Sequence, residues 1–104
     1  MDYIEIPLGN YHEPVIIDVE SLLRLRAAGV SENWFVNDDG ANNLYVRVKH
    51  NGKVASVARL ITNAPKGSWV TFVNNNKLDL RLKNLWIIAK KKPSYFKHNE
   101  LIIK

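Results

Sequence analysis

A chain of 104 residues with 46% hydrophobic and 10% aromatic content carries apolar material for one compact core. It has no cysteine, which excludes disulfide staples and thiolate zinc sites, and no run near the ~20 apolar residues that a membrane-spanning helix needs. The formal net charge of +5 is unevenly placed: residues 1–40 hold eight carboxylates against Arg24 and Arg26, whereas residues 41–104 hold thirteen cations against Asp79 and Glu100.

In chain order, residues 3–6 alternate as a strand does, and the β-branched run Val15-Ile16-Ile17 suits a second short strand. Asp18 is placed to cap the helix that follows by accepting from its first free amides, with Glu20 in the first turn. Leu22, Leu23, Leu25 and Ala28 give this helix an apolar side and Gly29 ends it. Trp34-Phe35-Val36 opens another strand, and residues 37–43 read as an exposed turn.

The clearest hairpin comes next. Leu44, Val46 and Val48 alternate with Tyr45, Arg47 and Lys49; Asn51-Gly52 supplies the two positive-φ residues of a type I′ turn; and residues 54–59 return the chain as a strand. One face is expected to pack inward while the other shows Arg47, Lys49, Lys53 and Arg59. Such a basic ribbon is either a solvated outer face or a surface that enters a DNA groove. Beyond the turn at Pro65-Lys66-Gly67, residues 69–73 form a strand. Asn74-Asn75-Asn76 forms a loop with Asn75 in a left-handed conformation, and Leu78, Leu82 and Leu85 are expected on one side of a short helix that exposes Lys77, Arg81 and Lys83. Trp86-Ile87-Ile88 resumes extended structure, and the chain closes with Lys90-Lys91-Lys92-Pro93, two aromatics (Tyr95, Phe96) and a last aliphatic run. The whole reads as an α+β domain with a small antiparallel sheet.

Residues 57–86 resemble the nuclease core of the phage-type HNH homing endonucleases. The turn Asn63-Ala64-Pro65-Lys66-Gly67 stands as in that family, and Asn74, Asn76, Leu78, Asp79, Arg81, Asn84 and Leu85 follow in the family's order. The resemblance implies a ββα-metal unit over 57–92 within one domain of 1–104, after an N-terminal β/α half (1–56) and before a basic, aromatic tail (93–104). It also implies where the chemistry would sit. The family's Asp-His pair falls on Thr71 and Phe72, its earlier histidine on Ala58, and its last metal-ligand Asn near Pro93. Asn84 occupies the position of the asparagine that orients the histidine. No histidine lies between His50 and His98. A phenyl ring cannot deprotonate water and proline offers no oxygen to a cation, so the expectation is a frame that no longer cuts and carries no metal or other cofactor.

Three functions follow from this pattern. The first is DNA binding without catalysis, with Arg47, Lys49, Lys53, Arg59, Lys77, Arg81, Lys83 and Lys90 to Lys92 on phosphates. The second is docking on a host protein through the acidic first part or an aromatic patch of Trp69, Phe72 and Trp86, which would inhibit or redirect a host enzyme. The third is residual nuclease activity with Asp79, Asn76 and Asn84 as substitute ligands and His98 folding back. His12, His50 and His98 are too scattered for a nucleophilic triad, and no glycine-rich phosphate loop is present. Without a secretory leader pattern the expected location is cytoplasmic, in the host cell if the chain is phage-encoded.

Overall fold

The computed structural model describes residues 2–41 and 43–89, an α+β arrangement of two helices and three small antiparallel sheets. The expectations placed on Lys90, Lys91, Lys92, Pro93 and the tail to Lys104 lie outside the described residues. No helix among the described residues is long and apolar enough to cross a membrane.

Strands β1 (Tyr3–Ile6) and β2 (Val15–Asp18) pair antiparallel, and the branched side chains of Val15 and Ile17 are wholly buried. Helix α1 (Val19–Ala27) buries Ser21, Leu22 and Leu25. Its end satisfies the last carbonyls in a regular way: Val30 N donates to Leu25 O at 3.0 Å, Gly29 N donates to Arg26 O at 3.0 Å, and Gly29 takes φ 81°. Leu25 and Val30, both buried, close this cap with the apolar contact it favours.

Asp18 departs from expectation. It precedes α1, but its side chain makes no capping hydrogen bond there. Its Oδ2 instead accepts from Leu82 N at 2.8 Å, across 64 residues of sequence. Beside it Ile16 N donates to Leu78 O (2.9 Å) and Leu80 N donates to Ile16 O (2.8 Å). The β2 edge and the 78–82 segment are thus sewn together, which gives the otherwise exposed edge of a two-stranded sheet a partner.

Strands β3 (Phe35–Asp38), β4 (Leu44–His50) and β5 (Lys53–Ser56) form the largest sheet, in that order. The Asn51-Gly52 turn has φ of 54° and 79°, as a type I′ turn requires. Register places Arg47 opposite Phe35 and Ser56, and Lys49 opposite Val54. Directly opposed residues share a face, so Lys53, which faces His50, lies on the side of Val48 and not with Arg47 and Lys49. The expected basic ribbon therefore loses Lys53.

It loses Arg59 too. The returning strand stops at Ser56, and residues Val57–Thr62 form helix α2. Ser56 caps it, with Arg59 N donating to Ser56 Oγ at 3.3 Å. The apolar spacing decides the matter: Val57, Ala58 and Ile61 fall on one helical side and are all buried, whereas a strand would have split them between two faces.

Strand β6 (Trp69–Phe72) pairs antiparallel with β7 (Leu85–Ile88). Between them the expected helix is absent: residues 77–81 turn irregularly and only a single 3-10 turn, Leu82–Asn84, forms. Leu82 is exposed while Leu78 and Leu80 are buried, so the inward pattern is Leu78, Leu80 and Leu85. One cluster of buried apolar side chains runs from Ile6 through Trp34, Val48 and Ile61 to Leu85.

Candidate nucleic-acid interface

The loop between β6 and β7 holds most of the residues that resemble the nuclease pattern, and its polar side chains serve one another. Asp79, 2% exposed, accepts from Arg81 Nε (2.9 Å) and Arg81 N (3.2 Å) at Oδ1, and from Arg81 Nη2 (2.8 Å) and Asn74 Nδ2 (3.0 Å) at Oδ2. Arg81 beside it, more than any other partner, holds its carboxyl below the usual 3.8, against the opposing effect of burial. Asn84 is buried: its Nδ2 donates to Asp79 O (3.0 Å) and its Oδ1 accepts from Asn74 N (2.9 Å). Asn76 Oδ1 accepts from Leu78 N, and Asn74 Oδ1 accepts from Asn76 N. Asn75 takes φ 63°, as expected of the residue that turns this loop.

The motif is thus a clasp. Asn84 ties the start of the loop to its end. The alternative ligand set of Asp79, Asn76 and Asn84 is also engaged: each of these side chains already has a protein partner, and His98 lies outside the described residues. Among the described residues no three His, Asp or Glu gather.

Beside this clasp, between the β4–β5 ribbon, α2 and β6, lies a cleft of about 260 Å³. Ala58 and Phe72 both line it, with Tyr45, Arg47, Lys77 and Trp69 among its other walls. Phe72 is half-buried and packs against the core. Thr71 faces the other way, opposite Trp86, and Asn84 belongs to the clasp. Of the positions where the resemblance would put reactive groups, the cleft gathers Ala58 and Phe72 and leaves out Thr71 and Asn84; Pro93 is outside the described residues.

Among the described residues no carboxylate lines the cleft. Arg47 Cζ lies 5.3 Å from the Tyr45 ring centre, and Lys77 Nζ lies 5.8 Å from Tyr45 and 5.7 Å from Phe72. Arg47 Nε is buried and, among the described residues, has no hydrogen-bond partner. Arg59 contributes a third positive charge but is more strongly tethered: Nη1 donates to Ser68 O (2.6 Å), and Nη2 donates to Pro65 O (3.0 Å) and Ala64 O (3.3 Å). It braces the 63–68 turn.

The remaining cations lie elsewhere. Lys49 is exposed on the Arg47 side of β4. Arg81 and Lys83 border a separate depression with Tyr3, Asp18 and Glu20, where two acids offset them and the Arg81 guanidinium sits 5.1 Å from the Tyr3 ring. The described basic side chains therefore do not form one face. The aromatic patch divides likewise: Trp69 and Trp86 share a face with Thr71 and Ile88, while Phe72 lies on the opposite face with Val70 and Leu85. Sequence reasoning left Tyr45 and Ser56 out of the site. The signal for Tyr45 was its i, i+2 spacing to Arg47 on one strand; Ser56 enters only through strand pairing.

Comparison of the chain with protein-family models, with curated proteins and with solved structures finds no match.

Proposed function

We propose that this chain is a nucleic-acid-binding module whose β6–β7 hairpin and intervening loop resemble the core of the HNH nucleases, and that it grips its ligand without hydrolysing it. The observation that carries this reading is the cleft: Arg47 and Lys77 stand in it with no carboxylate among the described residues of its lining, and Ala58 and Phe72 occupy it where the resemblance would place imidazoles. Two cations without acidic partners attract phosphate, and release of counterions from the nucleic acid drives such binding. A methyl and a phenyl group neither accept a proton nor coordinate a metal ion, so neither position supplies the general base that the resemblance would place there. Arg47, Lys77 and Lys49 are the phosphate contacts in this reading, and Arg59 acts chiefly as a brace. The test is titration of labelled DNA at increasing salt. The logarithm of affinity should fall linearly with the logarithm of salt concentration, without dependence on magnesium, and absence of any binding at low salt and micromolar protein overturns the proposal.

One observation favours a second reading. Trp69 and Trp86 are 52% and 62% exposed on one face of the β6–β7 pair, with Ile88 beside them, and an exposed apolar patch of this kind suits docking on a protein. Capture of a host protein that survives nuclease treatment and is lost in Trp86→Ser supports that reading; capture unaffected by Trp86→Ser counts against it.

A further inference from the structure

From the contents of the cleft we infer that it seats a single unpaired nucleotide of a single strand, with the phosphate on Arg47 and Lys77 and the base against Trp69. This deepens the nucleic-acid reading above and rests on it.

Three features of the cleft select this ligand. The first is charge. Every ionisable group among the described lining residues is a cation or the phenol of Tyr45, so the ligand carries negative charge. The second is the state of those cations. Arg59 is fixed by three carbonyls, whereas no side-chain hydrogen bond holds the Arg47 guanidinium among the described residues, and its Nε is buried without an acceptor. Turning Arg47 onto a phosphate oxygen breaks no hydrogen bond and satisfies a donor whose lack of a partner is unfavourable in the free protein. Among the described residues Lys77 is held by the Tyr45 and Phe72 rings alone, contacts that leave its ammonium donors available.

The third feature is shape and lining. The walls are largely apolar, with Leu44, Val46, Val70 and Leu80 behind the aromatics, so the ligand brings an apolar or aromatic body along with its charge. A nucleobase attached to its phosphate meets both demands. At about 260 Å³ the cleft falls just below the range of roughly 300–1,000 Å³ usual for pockets that enclose small molecules, which suits one base and not a base pair. The Tyr45 ring already carries Arg47 and Lys77, but Trp69, half exposed at the cleft, has no aromatic or cationic partner among the described residues. It lines the cleft although its side chain leaves the β6–β7 pair on the face of Thr71 and Trp86, so a base reaches it at the edge of that pair. Bases within a duplex have their faces covered by neighbouring pairs, so only an unpaired or extruded base can use it.

The test uses the full chain and three labelled probes of equal length at low salt: a single strand, the same strand with every base removed, and a duplex. Fluorescence anisotropy is expected to show the intact single strand bound roughly tenfold more tightly than the abasic one, since stacking adds to a common phosphate contribution. Trp69→Leu, which keeps apolar bulk but removes the flat ring, should erase that difference, and Trp69→Ala provides a second variant for the same readout. Arg47→Gln should weaken binding of the intact and abasic strands alike. Equal affinity for intact and abasic strands, preference for the duplex, or a base preference unchanged in both Trp69 variants overturns this inference while leaving phosphate binding in place. No binding of any probe overturns the nucleic-acid reading itself.

Discussion

Replacing Asp79 with asparagine probes the claim that the loop between β6 and β7 is a clasp. The side chain is almost fully buried and each carboxylate oxygen accepts two hydrogen bonds. In Asp79→Asn one oxygen remains to serve Arg81 Nε and N. The new amide group replaces the other and places a donor against Arg81 Nη2 and Asn74 Nδ2, which stand 2.8 and 3.0 Å from the present oxygen. Two hydrogen bonds to a charged acceptor are lost, and opposed donors take their place. At about 1.5 kcal/mol for each bond the loss comes to about 3 kcal/mol, a large fraction of the ~5–15 kcal/mol that stabilises a domain of this size. Thermal unfolding followed by circular dichroism should show the midpoint falling by ~12 °C or more. The variant's loss should shrink in an Arg81→Leu background, where one of the opposed donors is gone. A fall of under ~4 °C in Asp79→Asn, or an undiminished loss in that background, refutes the clasp.

Other variants test separate joints. Asp18→Ala removes the acceptor for Leu82 N and should cost about 1–2 kcal/mol in chemical denaturation; if Asp18 were a helix cap instead, Asp18→Ser would restore the loss, and here it should not. Ser56→Ala should lower stability by about 1 kcal/mol through loss of the α2 cap, measurable in the same titration. Acid adds a check on Asp79. Its folded pKa lies below the ordinary 3.8, chiefly through Arg81, so its stabilising contribution is complete above that value and is lost as pH falls through the folded pKa. Stability of the parent should therefore decline on acidification below about pH 4, and that decline should be shallower in Asp79→Asn. For binding, Lys77→Gln should reduce the slope of log affinity against log salt by roughly 0.7–0.9, whereas Lys83→Gln, across from Asp18 and Glu20, should leave it unchanged.

Much of the architecture was legible because local chemistry and tertiary packing agree there. Asn51-Gly52 forces a type I′ turn, and Gly29 ends α1 through positive φ with Leu25 and Val30 as its apolar closure. Where they conflict, the sequence reading failed in instructive ways. Asp18 stands at a helix start, yet the free amide of Leu82 lies within its reach, and that partner is invisible along the chain. Residues 54–59 alternate passably as a strand, but burial of Val57, Ala58 and Ile61 together requires a helix. The expected helix at 78–85 gives way because the Asp79 side chain and the Ile16 backbone fix residues 78–81 in an irregular, internally bonded path. As for the site, Arg47, Lys77 and Phe72 were named from the sequence. Their meeting with Tyr45 and Trp69, and the diversion of Arg59 and Arg81 to structural partners, depend on contacts between segments distant along the chain.

The most direct measurement is a native gel of end-labelled single-stranded and duplex DNA, incubated with micromolar protein and magnesium at low salt, each sample split and run again under denaturing conditions. The account predicts slowed migration on the first gel and full-length strands on the second. Unslowed migration of both probes, or shortened strands from the purified chain, would contradict it.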